Sequence, residues 1–246
     1  MRYFIWFSYD GSQYHGWQIQ PNGVTVQSEL QRSLSLLLRE EISVVGAGRT
    51  DTGVHARRMA AHFDTYADFE PELLTHKLNG LLHQDIGVFN IEPVNADMHA
   101  RFSAVTRTYR YYVHTRKDPF LRHYSLELHY HLDYELMNRA GEILTEYEDF
   151  GAFCKAGSDV KTTLCHVTHA QWHQTSNTTW YFEITANRFL RNMVRAVVGT
   201  LIEVGRGRMS LDDFRQVIEG KQRTQAGESM PAKALFLEDV RYEMTK

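Results

Sequence analysis

Three glycines surround a single carboxylate in the run Gly46-Ala47-Gly48-Arg49-Thr50-Asp51-Thr52-Gly53-Val54-His55-Ala56. Glycine lets a backbone turn tightly or approach a ligand closely. A dinucleotide fingerprint would need its third glycine where Asp51 stands, and the Gly-Lys-Ser/Thr of a P-loop is missing, so a phosphate-cradling NTPase is disfavoured. The loop offers instead one acid, Asp51, two residues after Arg49. A carboxylate can serve as nucleophile or as base. In most Gly-rich loops, however, an aspartate caps a turn through its own backbone, so a catalytic reading needs a second line of support.

Other groups could contribute chemistry. Val105 to Thr115 alternates as a strand, which puts Tyr109 on one face with Arg107 and Tyr111 and turns Thr108, Arg110 and Tyr112 the other way. Alone, Tyr109 reads as core packing. Arg188, Arg191 and Arg195 gather where a helix is predicted to start, Arg191 and Arg195 being i, i+4 neighbours on one face. Arginines at a helix N-terminus suit phosphate contact, since backbone donors add to fixed charge. Thirteen histidines invite a metal. The candidates His129-x-His131, His166-x-x-His169 and Cys165-His166 belong to no HExxH or paired CxxC pattern, and a closed site would need four ligands from far apart. No metal is expected, and the histidine-rich strands are read as imidazoles on a half-exposed sheet.

The elements that must position these groups follow from periodicity. Tyr3 to Asp10 reads as a strand and Val26 to Arg39 as a helix. Ile42 to Ala47 is a short strand leading into the Asp51 loop, Arg58 to Thr65 another, Pro71 opens a helix, and Ile86 to Val94 is a strand. Beyond the Tyr109 strand come an acidic helix, Asp133 to Tyr147, two strands, Leu164 to Gln174 and Thr178 to Ala186, and helices near Phe189 to Val204 and Ser210 to Glu219. Leu235 to Glu243 is a final strand. Strands mixed with two helices in each half indicate an α+β fold, each half a mainly antiparallel sheet with helices packed on one face. The expected halves are residues 1–104, with the Asp51 loop, and 105–246, with the basic strand and helix, their sheets continuing into one another.

The 246 residues are 43% apolar and 23% charged with only 5 prolines, which excludes collagen, coiled coil and disorder. Met193 to Val204 is the longest nearly apolar helical pattern, and it falls short of the roughly 20 residues of a membrane span. The first residues enter a strand pattern directly, without the apolar stretch of a secretory signal. Two cysteines, Cys154 and Cys165, make no disulfide framework. A cytoplasmic protein with reduced thiols is expected. The net charge of −3 announces no nucleic-acid partner, but its distribution is uneven. His99 to Tyr124 carries +5 and Arg188 to Arg223 carries +4, whereas Glu127 to Asp149 has seven acids against Arg139 alone. A basic groove with an acidic back fits that segregation.

Four segments, in order along nearly the whole chain, match one enzyme family. They are Tyr9-Asp10-Gly11-Ser12-x-Tyr14-x-Gly16-Trp17-Gln18 with Thr25-Val26-Gln27; Gly48 to Ala56; Ala100-Arg101-Phe102-Ser103-Ala104 leading to Arg107-x-Tyr109-Arg110-Tyr111; and Asn187-x-Phe189-Leu190-Arg191-x-Met193-Val194-Arg195-x-x-Val198-Gly199-Thr200. Together they resemble the tRNA pseudouridine synthase A family, isomerases of uridines 38 to 40 in the tRNA anticodon stem-loop.

The resemblance implies a catalytic cleft central to the two halves, with Asp51 as the catalytic aspartate. Uracil must be cut from C1′ of its ribose, turned and rejoined through C5, which requires an anion but neither redox group nor metal. Attack on sugar or base and removal of a sugar proton both remain open for Asp51. By resemblance Arg195 keeps that carboxylate ionised against desolvation, Arg49 helps hold the target nucleotide out of the helix, and Tyr109 stacks on uracil and is the candidate for removing the C5 proton. Arg101, Arg107, Arg110, Arg188, Arg191 and Arg206 are expected to contact RNA. No nucleotide cofactor or membrane is implied, and a homodimer with tRNA touching both subunits is. Ala234 stands where the family has glycine in Met230-Pro231-Ala232-Lys233-Ala234-Leu235, which questions the local turn. Two other activities compete: a tRNA-binding protein without catalysis, and a nucleoside or glycoside hydrolase, for which no second carboxylate is identifiable.

Overall fold

The computed structural model describes residues 1–158 and 160–243. In chain order the elements are β1 (Arg2–Tyr9), α1 (Val26–Leu38), β2 (Val45–Gly46), β3 (His55–Asp64), α2 (Pro71–Leu81), β4 (Ile86–Val94) and β5 (Ala104–His114). There follow β6 (Leu126–Glu127), α3 (Tyr134–Leu144), β7 (Val167–Ser176), β8 (Thr179–Ala186), α4 (Met193–Gly205), α5 (Leu211–Gly220) and β9 (Leu235–Tyr242). The fold is α+β with mostly antiparallel pairing, and it divides into two compact units. The first holds residues 1–105 and takes back the chain end from residue 236; the second holds residues 106–235.

In the first unit the strands run β4-β1-β3-β9, with β2 also paired to β3. β1 pairs antiparallel with β4 and β3, and β3 lies parallel to β9 through His55↔Phe236 and Ala56↔Leu237. Phe4, Ile5, Phe7, Met59 and Phe63 are fully buried, so both faces of the central strands are covered. Each such side chain contributes about 1.5–3 kcal/mol by leaving water. α2 packs on β4 and α1 beside α2, burying Leu30, Leu34, Leu74 and Leu78, the spacing of an amphipathic face. Thr25 and Ser28 close a capping box at the start of α1, and Arg39 ends it in the left-handed conformation at φ 56°.

In the second unit β5 pairs with β8 and β8 with β7, all antiparallel, and β6 lies parallel to the end of β5. Arg107, Tyr109, Tyr111 and Val113 of β5 are buried, alternating with half-exposed Thr108, Arg110 and Tyr112. Phe182, Ile184 and Ala186 of β8 continue the buried face. On β7 a register shift between Val167 and His169 changes the phase, so Val167, Ala170 and Trp172 are the buried residues there. α3 packs on β7 and α4. α4 is buried at all but two of its positions, which explains its nearly unbroken apolar sequence.

Two local expectations are corrected. The helix predicted from Phe189 begins only at Met193, because Asn192 takes φ 68° and cannot continue a right-handed helix backward. Arg191 therefore precedes the helix and does not share a helical face with Arg195. The strand predicted over Ile42 to Ala47 contracts to Val45–Gly46. No helix among the described residues is long and apolar enough to cross a membrane.

Candidate active site

The Asp51 loop connects β2 to β3 and is clamped by the segment after β1. A Cβ at Gly11 would lie 2.0 Å from the Val54 carbonyl oxygen, one at Gly16 would lie 2.5 Å from that of Thr50, and one at Gly46 would strike the Trp17 indole at 2.5 Å. Gly16 also needs its φ of 81°. These glycines serve close approach between two loops, which is why the first two sequence segments occur together.

Polar contacts complete the clamp. Trp17 N–H donates to the Thr50 carbonyl at 3.2 Å, the Tyr9 hydroxyl meets Thr50 Oγ1 at 2.9 Å, and Gly11 N–H donates to His55 Nδ1 at 3.1 Å. The amide of Gln27 donates to the Val44 carbonyl at 2.7 Å and its oxygen accepts from Ile19 N–H at 2.9 Å, stapling the entry to β2. Val54 N–H closes a turn on the Asp51 carbonyl at 3.1 Å. Asp51 itself is half-buried between buried Thr50 and exposed Thr52. Arg49 is exposed, with no ion pair or side-chain hydrogen bond among the described residues. The loop thus has a fixed backbone and presents a carboxylate and a guanidinium on one short segment.

Arg101 lies in the same unit, on a turn held by two imidazoles. His62 Nδ1, buried on β3, accepts from Ala100 N–H at 3.0 Å. His99 Nδ1 accepts from the N–H groups of Arg101 and Phe102 at 3.1 and 3.2 Å. Burial, then the charge of Arg2, lowers the His62 pKa to about 4, so the ring stays a neutral acceptor. Tyr242 of β9 donates to the Ala100 carbonyl at 2.6 Å. Arg101 extends over the ring of Phe102, itself 75% exposed.

In the second unit, Tyr109 is 9% exposed and its ring meets Phe189 edge-on at 5.0 Å. Arg107, on the same face, donates to the Asn187 carbonyl at 2.6 Å. The structure thereby brings Tyr109 and Arg107 to the Asn187–Phe189 segment. Arg110 is not brought there: it points from the opposite face, donates to Glu183 Oε2 at 2.7 Å and covers the Tyr181 ring. Arg195, in the first turn of α4, donates from Nε to the Met230 carbonyl, while Met230 N–H donates back to the Arg195 carbonyl at 3.1 Å. That strap is pressed onto α4, since a Cβ at Gly199 would lie 1.8 Å from the Glu228 carbonyl oxygen. Arg188 is half-buried and Arg191 exposed, both ahead of the helix. Arg206 ends α4, bound to Glu203 and stacked over Tyr130 at 4.2 Å.

Sequence reasoning overlooked the groups that position these side chains. His62, the Met230 carbonyl and Asn192 act from a neighbouring strand, from a backbone atom and by an unusual φ, none of which residue type reveals. Ala234 lies in a one-turn 3₁₀ segment, buried and without positive φ. An alanine fits where the family's glycine was expected.

The fold and the clamped carboxylate loop define an α+β protein with one acid held on a fixed loop backbone. The chain belongs to the family described as tRNA pseudouridine synthase, whose signature matches residues 5–103 and 147–243. Tyr109 lies between the two matched segments. The tRNA pseudouridine synthase A of Bacteroides thetaiotaomicron is 54% identical over 98% of this chain and 90% of its own length. That of Bacteroides fragilis is 52% identical over 98% and 96%. That of Bacillus subtilis is 39% identical over 99% and 100%.

Proposed function

We propose that this chain isomerises uridine to pseudouridine at position 38, 39 or 40 of the tRNA anticodon stem-loop, with Asp51 as the catalytic carboxylate. The observation that carries the assignment is the loop itself: close contacts at Gly11 and Gly16 fix its backbone, and the acid it presents belongs to one of the four segments that together resemble the family. The reaction is a rearrangement. The N1–C1′ bond breaks, uracil turns, a C5–C1′ bond forms, and the proton lost from C5 is balanced by one gained at N1, so no electrons are gained or lost. A carboxylate acting as nucleophile, or as base toward a sugar proton, suffices to begin it. Tyr109 is assigned to uracil stacking and C5 proton removal, and Arg195 to keeping the reacting carboxylate ionised. Arg49, Arg101, Arg107, Arg188 and Arg191 are assigned to the RNA, and Arg110 to a contact on the opposite sheet face. We place the enzyme in the cytoplasm as a homodimer whose two subunits share one tRNA.

The deciding measurement uses tRNA transcript carrying tritium at uridine C5, incubated without added metal or nucleotide. The parent protein is expected to release tritium and D51N to release none while still binding tRNA. Tight, salt-sensitive binding without release by the parent would make this a non-catalytic tRNA-binding protein, and free uracil would make it a hydrolase.

A further inference from the structure

On the sheet face opposite Tyr109, the second unit gathers two imidazoles and a carboxylate. His169 and His173 flank Gln171 on β7, and Gln171 stands opposite Glu183 of β8, so the period of two puts all four on one face. One ligand atom from each of His169, His173 and Glu183 lies within 4.8 Å of the others. His169 Nε2 is 3.6 Å from Glu183 Oε1. The imidazoles stack with centroids 6.0 Å apart. His173 Nε2 is buried and has no hydrogen-bond partner, an arrangement that costs about 1–3 kcal/mol when left unfilled. The His169 side chain is 39% exposed, which opens the cluster to solvent on one side.

Two atoms bound at about 2.0–2.1 Å to a tetrahedral zinc stand about 3.4 Å apart. The His169–Glu183 edge, at 3.6 Å, is close to that separation, and the two edges to His173, within 4.8 Å, need to close by at most about 1.4 Å, which a small side-chain rotation supplies. Two imidazoles with one carboxylate suit borderline-soft divalent ions and leave a fourth position for water. Outer contacts orient the donors. Arg110 holds the other carboxylate oxygen, Oε2, at 2.7 Å, and its guanidinium covers the Tyr181 ring on which His173 also stacks, at 5.0 Å. We propose that His169, His173 and Glu183 bind a divalent transition-metal ion of the zinc class, clipping β7 to β8 on the sheet face opposite Tyr109.

The test titrates the full-length protein, first stripped with a chelator, with zinc and with cobalt(II). One ion per chain is expected at this site, with cobalt giving visible absorption bands, and H173A and E183Q each weakening binding at least ten-fold. Thirteen histidines could take zinc elsewhere, so the ring nitrogens of ¹⁵N-labelled parent protein are followed by long-range ¹H–¹⁵N correlation during the titration. Shifts at His169 and His173 would support the site even if a variant failed to fold. Shifts only at other histidines, no binding by the parent, or equal affinity in folded parent and variants would overturn it.

Discussion

Removing one oxygen from Tyr109 separates packing from proton transfer. Its ring is held edge-on by Phe189 and almost enclosed, and Y109F keeps that ring and its stacking surface. If the hydroxyl removes the C5 proton, tRNA affinity is expected to stay within about two-fold while single-turnover isomerisation falls by about 10²–10⁴. Unchanged turnover would leave Tyr109 with stacking alone. Strand alternation in the sequence assigned Tyr109 only its sheet face, which the structure repeats residue by residue from Arg107 to Val113, whereas its proposed role rests on the family resemblance. The tight backbone of the Asp51 loop was legible for a different reason. Glycines at close approaches leave a pattern in sequence, whereas the contact that fixes Arg195 is made to a backbone carbonyl, which leaves none. His173 illustrates the same limit, because its approach to Glu183 follows from the pairing of β7 with β8 and not from its spacing to His169.

Elements were read well where periodicity is long and poorly where one residue changes the backbone. α2 and β4 begin where Pro71 and Ile86 indicated, but the apolar pattern through Leu190 concealed the left-handed Asn192 and gave α4 an extra turn. The turn carrying Arg101 depends on a strand residue in a way that pH can test. The His62 pKa is lowered from 6.5 to about 4, so between those values the unfolded chain binds a proton that the folded one refuses. Stability therefore falls as pH drops from 6.5 toward 4 and is not lost further from this source below 4. The full penalty is on the order of 3 kcal/mol, at about 1.4 kcal/mol per unit, and about 2 kcal/mol of it is reached by pH 5. His99, His114 and His173 are also lowered by burial and titrate in the same direction. The comparison is therefore between parent and H62Q, which retains an acceptor for the Ala100 N–H. Denaturant melts at pH 7 and pH 5 are expected to show a smaller drop in H62Q, and equal drops would remove His62 as the cause.

Over the whole molecule, net charge is a weaker guide to RNA than the fate of each cation. The basic segment from Arg188 to Arg223 looks like a phosphate-binding stretch in sequence, yet much of it is committed internally. Arg206 and Arg208 bind Glu203, Arg215 binds Glu146, and Lys221 sits 2.7 Å from Asp149. The last two pairs join this segment to the acidic stretch before it, so the segregation along the chain partly cancels in space. Arg223 is spent on the carbonyls of Ala226 and Gly227. Surface pairs of this sort contribute about 0–1 kcal/mol each, so their effect on RNA binding is local neutralisation more than stability. If Arg49, Arg101, Arg188 and Arg191 supply the phosphate contacts, buried Arg107 being bound to the Asn187 carbonyl, and about 0.7–0.9 counterions are released per phosphate, log Kd against log salt is expected to rise with a slope of about 3. R49Q should lower that slope by about 1 and R215Q should leave it unchanged. A parent slope near zero would defeat electrostatic capture of tRNA. A slope near 7, with R215Q lowering it as much as R49Q, would mean that the internal pairs open to meet the RNA.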